Sequence, residues 1–326
     1  MREIVMFGGT AHPELAENIC SHVGVEPSRS TVNRFSNGCI QVQLEANCRE
    51  ADVFLIQPMV MPVHDHLMEL LQMLDAARGA SAARTTAVIP YFGYARSDKK
   101  DAPRISIAAR LVADLLYTAG ASRVLTMTLH AAQVHGFFSV PVDHLNALQI
   151  LAGHFLDRDL DNTVVVSPDL GRAKEAAQFA RMLKLPVAAG SKRRISDTEV
   201  VIDAIVGDVD DRKVIVLDDE VATGGTLVEL IRRLRDRRVS EITIACTHGL
   251  FTSNALERFC AFDEVKEVVT TDTVPLPSSI QSQPNLVTLS VAPLLAEAVR
   301  RIHNGESVSS LFTEPEWIVE EDTRSS

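Results

Sequence analysis

The sequence predicts an α/β protein made of two similar halves, each an open, mostly parallel sheet flanked by helices. Three observations carry that expectation. Short apolar runs rich in β-branched residues alternate with stretches of helical period along most of the 326 residues, the pattern of repeated strand–crossover–strand units. The apolar runs are continuous rather than alternating, as strands covered on both faces must be. The alternation also repeats from residue 147 onward, which puts a boundary near 145–150 between halves of ordinary domain size.

In the first half, apolar runs bounded by turn residues place strands at 4–7, 39–44, 52–57, 86–90, 123–128 and 140–143. Apolar residues three and four apart place helices at 13–22, 63–78, 105–118 and 131–136. In the second half, strands are expected at 163–167, 187–189, 214–217, 241–247, 268–270 and 286–290, and helices at 147–156, 172–183 and 227–235. The domains are then 1–146 and 147–290. A last helical stretch at 291–303 can pack back on the first half. The tail, 313–326, is polar and acidic without a period, the composition of loosely ordered chain.

Composition narrows the function classes. No apolar run reaches the ~18 residues that a membrane span needs, and the N-terminus reads directly as a strand rather than a leader. Five cysteines are scattered with no C-x-x-C pair, which points to a reducing, cytoplasmic setting and away from a structural zinc site. The net charge of −11 disfavours general nucleic-acid binding, although local basic clusters still suit an anionic substrate.

The chemistry concentrates in the stretch from Val214 to Leu227. A β-branched run ends in Asp218 and Asp219, passes through Glu220, Val221 and Ala222, and turns through Thr223, Gly224, Gly225 and Thr226 into a helix. Unpaired amides at a helix start, a favourable helix dipole and glycines that admit close approach make a phosphate cradle. The two aspartates are placed to accept hydrogen bonds from sugar hydroxyls or to hold a metal's water. A plain strand–turn–helix with a capping threonine would show the same small residues. A second charged stretch, Tyr91 to Arg104, follows a strand end, where open α/β sheets bind ligands; read alone, it is equally a solvated surface loop.

The Val214–Thr226 arrangement resembles the ribose-phosphate loop of the phosphoribosyltransferase superfamily, and several further motifs resemble the ribose-phosphate diphosphokinase family in order along 1–312. These are Arg34-Phe35-Ser36-Asn37-Gly38-Cys39, Tyr91-Phe-Gly-Tyr-Ala-Arg96-Ser97-Asp98-Lys99-Lys100, and Leu129-His130-Ala-Ala-Gln133 through Phe138. Val166-Ser-Pro-Asp169-Leu-Gly171-Arg172 and Ser191-Lys192-Arg193-Arg194 complete the set. The resemblance implies two phosphoribosyltransferase-type domains, with ATP on the first and ribose 5-phosphate on the second. ATP would meet Phe35, Asn37, Gly38, Cys39, Arg96, Ser97, Lys99 and His130. Ribose 5-phosphate would meet Arg194, Asp218, Asp219, Ala222, Thr223, Gly224, Gly225 and Thr226. His130 and Asp169 would serve Mg²⁺, while Lys192 and Arg194, after a short strand and on a mobile arm, would be catalytic. A cytoplasmic homo-oligomer, often a hexamer, is also implied.

This chain departs from the family pattern at five of these positions. Cys39 replaces a glutamate, Ser97 a glutamine, Thr128 an aspartate, Ala222 the third aspartate of the loop, and Arg172 stands where glycine is more frequent. Glu220 is the nearest carboxylate able to compensate at Ala222. The expected activity is transfer of the diphosphoryl group of ATP to the 1-hydroxyl of ribose 5-phosphate. A regulatory homologue of weak or no activity, a phosphoribosyltransferase and a generic nucleotide-binding module are the alternatives.

Overall fold

A computed structural model of the protein describes residues 2–194 and 200–312, and for 192–194 and 200–203 the backbone alone. The chain forms two compact units. The acidic tail at 313–326 lies outside the described residues.

The first unit takes up residues 2–146, 273–275 and 290–312. Its elements begin with β1 (Ile4–Gly8), α1 (Pro13–Val23), β2 (Ser30–Arg34), β3 (Ile40–Leu44) and β4 (Asp52–Ile56). They continue with α2 (Val63–Gly79), β5 (Arg84–Ile89), α3 (Ala108–Ala119), β6 (Arg123–Met127) and β7 (Val142–Leu145). Five strands form a parallel sheet in the order β1-β4-β5-β6-β7. Every residue of β4 is buried, which explains its unbroken apolar run.

The sequence expectation at 39–44 is corrected here. Cys39 belongs to a turn, and β3 pairs antiparallel with β2, a strand the sequence reading missed, in a separate two-stranded ribbon. Ile40, Val42 and Leu44 alternate with exposed glutamines. Gln72 of α2 ties this strand down, bonding the Ile40 carbonyl at 3.1 Å and the Val42 amide at 3.2 Å. The expected helix at 131–136 is a 3-10 turn (Ala132–Phe137).

The second unit takes up residues 147–272 and 276–289. It runs α4 (Leu148–Gly153), β8 (Thr163–Ser167), α5 (Ala173–Met182), β9 (Val187–Arg194), β10 (Val200–Val206) and β11 (Lys213–Val221). It continues with α6 (Gly225–Asp236), β12 (Glu241–Gly249), α7 (Ala255–Cys260), β13 (Val265–Thr271), α8 (Ser278–Gln281) and β14 (Leu286–Leu289). Seven strands lie in the order β10-β9-β8-β11-β12-β13-β14, parallel except for the antiparallel pair β9 and β10. Side-chain alternation on β11 serves both faces at once. Val214 and Val216 join a core with Leu227, Leu230, Ile231 and Leu234 of α6. Ile215 and Leu217 join another with Phe155 and Phe179.

The helix α9 (Ala292–Asn304) returns to the first unit and packs on α1. Its end is fastened by charge. Arg84 bonds the carbonyls of Ile302 (3.4 Å) and His303 (3.2 Å) and pairs with the fully buried Asp52, which also meets His303 Nδ1 at 2.9 Å. A buried carboxylate is tolerable only with partners of this kind.

Candidate active site

Strand order in the second unit decides where a ligand can enter. The chain leaves β8 toward β9 on one side and leaves β11 toward β12 on the other, although β8 and β11 are neighbours. Connections diverging from adjacent strands open a crevice at their carboxyl ends, the usual ligand site of an open α/β sheet. Asp169 stands just past β8, and Asp218 and Asp219 lie toward the carboxyl end of β11. All three sequence-predicted carboxylates therefore flank this one crevice.

β11 runs further than its apolar stretch because its partner continues alongside: Asp218 faces Cys246, Glu220 faces His248 and Val221 faces Gly249 in register. Ala222 and Thr223 then turn the chain into α6. Gly224 adopts a left-handed conformation (φ 71°), and a Cβ there would meet Phe259 Cζ at 2.4 Å. Gly225 differs, since a Cβ on it would meet nothing within 4 Å. No side chain caps the start of α6, so its first amides carry the orphan N–H groups of any helix start beside the room that Gly225 leaves. Arg258 of α7 holds the turn by donating to the Thr223 carbonyl at 2.9 Å. That clamp sits on a six-residue helix too short to show a period in the sequence.

The electrostatics of the crevice are asymmetric. Burial pushes the Asp218 carboxyl well above its ordinary range, the adjacent Asp219 pushes the same way, and the Arg172 guanidinium opposes both. Asp218 also accepts the Asp219 amide at 2.9 Å. Burial works against the Arg172 charge, but Asp219, Glu175 and Asp218 outweigh it and leave the guanidinium above its usual range. Asp169 caps the 3-10 turn Leu170–Arg172, accepting the Arg172 amide at 3.2 Å, and Ser167 Oγ donates to the Asp169 carbonyl at 2.7 Å.

In the first unit, the predicted nucleotide residues are linked through the start of α2. Arg34, at the end of β2, pairs with Asp65 at 2.5 Å, and Tyr94 Oη meets His64 Nδ1 at 2.6 Å. The β2–β3 ribbon and the Tyr91 loop thus share one anchor. Gly93 is required for the close pass of that loop, since a Cβ there would meet the Met59 carbonyl at 2.4 Å. Asp98, buried at 9% exposure, accepts Gln133 Nε2 at 3.0 Å and joins the loop to the turn that follows His130. Neither Asp98 nor Gln133 was among the expected contacts, although both sat inside the quoted motifs.

Residues 4–120 match the model of the N-terminal domain of ribose phosphate pyrophosphokinase, and residues 195–313 match the phosphoribosyl synthetase-associated domain. A Streptomyces coelicolor relative is 62% identical over 312 residues, covering 96% of this chain and 98% of its own. The ribose-phosphate pyrophosphokinase of Deinococcus radiodurans is 49% identical over 314 residues, covering 95% and 98%. The crystal structure of phosphoribosylpyrophosphate synthetase from Mycobacterium smegmatis superposes with a TM-score of 0.87 at 39% identity, over 93% of this chain and 100% of that one. The chain belongs to the ribose-phosphate pyrophosphokinase family. Its architecture is that of the family, with two phosphoribosyltransferase-type domains.

Within that family frame, the predicted residues fall as follows. Phe35 is 51% exposed, which leaves its ring on the surface at the ribbon's tip. Asn37 folds its Oδ1 onto the Cys39 amide at 3.0 Å, and Gly38 takes φ 88°, so this tip is a self-contained turn. Arg96 and Lys99 are exposed, the latter 3.8 Å from Asp101. The Ser97 hydroxyl is turned inward. It accepts the Ala108 amide at 3.0 Å, capping the start of α3, and lies 3.3 Å from the Ser106 carbonyl. This cap explains why α3 starts at Ala108 rather than at 105.

His130 is half-buried beyond β6, where Thr128 takes φ 43° and the Leu129 amide donates to His144 Nε2 at 2.8 Å. Positive φ is unusual for a β-branched residue. The backbones of Lys192 and Arg194 lie on β9, facing Ile202 and Val200 of β10. The side chains of Lys192 and Arg194 lie outside the described residues.

Proposed function

We propose that this chain is a working ribose-phosphate pyrophosphokinase that transfers the diphosphoryl group of ATP to the 1-hydroxyl of ribose 5-phosphate. The bond formed joins that oxygen to the β-phosphorus; the bond broken joins the β-phosphorus to the oxygen that leaves with AMP. The observation that carries the reading is the crevice between β8 and β11, with Asp169, Asp218 and Asp219 around an uncapped helix start where Gly225 leaves open room.

In this reading, the amides of Thr223 to Thr226 bind the sugar's 5-phosphate, with Ala222 contributing its backbone. Asp218 and Asp219 accept its hydroxyls, and Arg194 contacts its phosphate. ATP lies on Phe35, Asn37, Gly38, Cys39, Arg96, Lys99 and His130, with Ser97 acting from beneath as the loop's brace. Lys192 and Arg194 would bring positive charge to the negative charge that builds up on the transferring group, so positioning and electrostatics supply most of the acceleration.

Mg²⁺ fits the donors present. Asp169 offers the hard oxygen that this cation prefers, and one carboxylate plus substrate phosphates and water is its ordinary complement at a nucleotide site. Among the described residues no group of three or more His, Cys, Asp or Glu could hold a metal by itself. When bound, Mg²⁺ would neutralise phosphate charge, and Asp169 and His130 are the residues proposed to hold it. A homo-oligomer, hexameric by resemblance, in the cytoplasm completes the proposal; no helix among the described residues is long and apolar enough to cross a membrane.

The test is direct. Purified protein with Mg-ATP and ribose 5-phosphate is expected to release AMP and 5-phosphoribosyl 1-diphosphate in equal amounts. Folded protein that yields no AMP above background overturns the proposal in favour of a regulatory homologue.

A further inference from the structure

Arg172 was expected only as a departure from a glycine position. It lies on the short turn after Asp169, and its guanidinium makes two ion pairs, with Asp219 through Nη2 and with Glu175 Oε2 through Nη1 at 2.6 Å. Its side chain and that of Asp219 are nearly buried, at 11% and 5% exposure. The arginine therefore spans the two diverging strands of the crevice, from the end of β8 to the end of β11. Glu175, in the first turn of α5, holds its other edge.

We propose that Arg172 is a positioning residue of the sugar site, holding the Asp219 carboxylate in one orientation as an acceptor for the sugar's hydroxyls. This rests on the sugar site assigned above. The argument is one of charge and geometry. Two adjacent carboxylates, Asp219 buried and Asp218 half-buried, repel one another, and each loses solvation on burial. With no cation beside them, one takes up a proton and no longer accepts two hydrogen bonds. A planar guanidinium held on both edges supplies the missing charge in one fixed orientation, which an ammonium on a flexible stem does not. The upward push on Asp218 described above agrees, because Asp219 contributes to it and Arg172 opposes it.

The loop's other departure follows the same logic. Ala222 removes a carboxylate from the turn, so fewer acceptors remain for the sugar and the orientation of Asp219 matters more. Arg172 acts through Asp219 and is not placed on the substrate.

The test uses the full-length protein and ribose 5-phosphate as the probe, with calorimetric binding in the absence of nucleotide and steady-state kinetics in its presence. Arg172→Gly is expected to weaken ribose 5-phosphate binding about tenfold, the scale of one charge-assisted contact. KM for the sugar should rise alongside, while KM for ATP stays within about twofold, and Arg172→Lys should fall between. A purely structural brace would lower the melting temperature without this split. Arg172→Gly that stays folded and binds the sugar as tightly as the parent, or more tightly, overturns the proposal. If Arg172→Gly does not fold, Glu175→Gln loosens the same guanidinium from its far side; unchanged sugar affinity there overturns it too. Failure of the unaltered protein to bind ribose 5-phosphate would instead overturn the sugar site itself, and this inference with it.

Discussion

Gly224 and Gly225 are neighbours with opposite tasks. Gly224 is required by the fold: left-handed backbone costs an alanine about 1–2 kcal/mol, and its Cβ would drive into the Phe259 ring. Gly224→Ala is therefore expected to lower thermal stability by several degrees in a melting experiment. Gly225 meets no such limit, so Gly225→Val should melt within a few degrees of the parent while losing most of its affinity for ribose 5-phosphate. Equal melting losses in the two variants would refute that division. Asp218 adds a pH dependence with a definite sign. Its carboxyl is raised above the ordinary value of 3.8 in the folded state, so the folded protein binds the extra proton. Stability is full below that value and falls as pH rises through the raised one. Asp218→Asn should accordingly melt higher than the parent at neutral pH, with the gap closing toward pH 4, and should bind the sugar less well. The Asp-Asp-x-x-x-Thr-Gly-Gly-Thr string made this site legible from sequence. The Arg172–Asp219 pair was not, because 47 residues separate its members and neither carries a local signal of the other.

Among the elements, strands buried on both faces were the most legible, since an unbroken run such as Thr163–Ser167 or Asp52–Ile56 fits few alternatives. Three failures have physical causes. β2 reads Ser-Thr-Val-Asn-Arg and is only partly covered, so no apolar run marks it. β10 carries an aspartate at its middle and a register shift between Ile202 and Ala204, which breaks its period. α3 looked longer because Ile105 and Ile107 continue its apolar pattern, yet the Ser97 hydroxyl ends it at Ala108. Ser97→Ala should cost about 1 kcal/mol, the worth of a helix cap, and should loosen the Tyr91 loop. A melting temperature identical to the parent's would show that the cap contributes nothing. The backbone pairing of β9 with β10 places Lys192 on regular strand. Under the proposed mechanism, Lys192→Ala lowers kcat on the order of 10³-fold with little change in either KM, by analogy with arginine fingers; near-normal turnover would remove Lys192 from its role.

At the scale of the whole molecule, the boundary between halves was visible where the alternation starts again, but the fastening of α9 was not. It depends on Asp52, Arg84 and His303, which lie up to 251 residues apart. Arg84→Met leaves the fully buried Asp52 with His303 as its remaining ion-pair partner, and removing one member of such a cluster typically costs about 3–5 kcal/mol. The expected outcome is early protease cleavage or melting of the first unit while the second keeps its transition; a single unshifted transition would contradict it. The domain match at 4–120 covers much of the first unit, and the match at 195–313 runs on through α9.

The return of α9 to α1 also sets a schedule for synthesis. A ribosome delivers the five strands of the first sheet early, yet the helix that covers α1 emerges only after all seven strands of the second sheet have been made. The unit begun first is thus finished last. Until residue 304 has cleared the exit tunnel, the part of α1 that α9 covers stays exposed, although α1 already rests on β1.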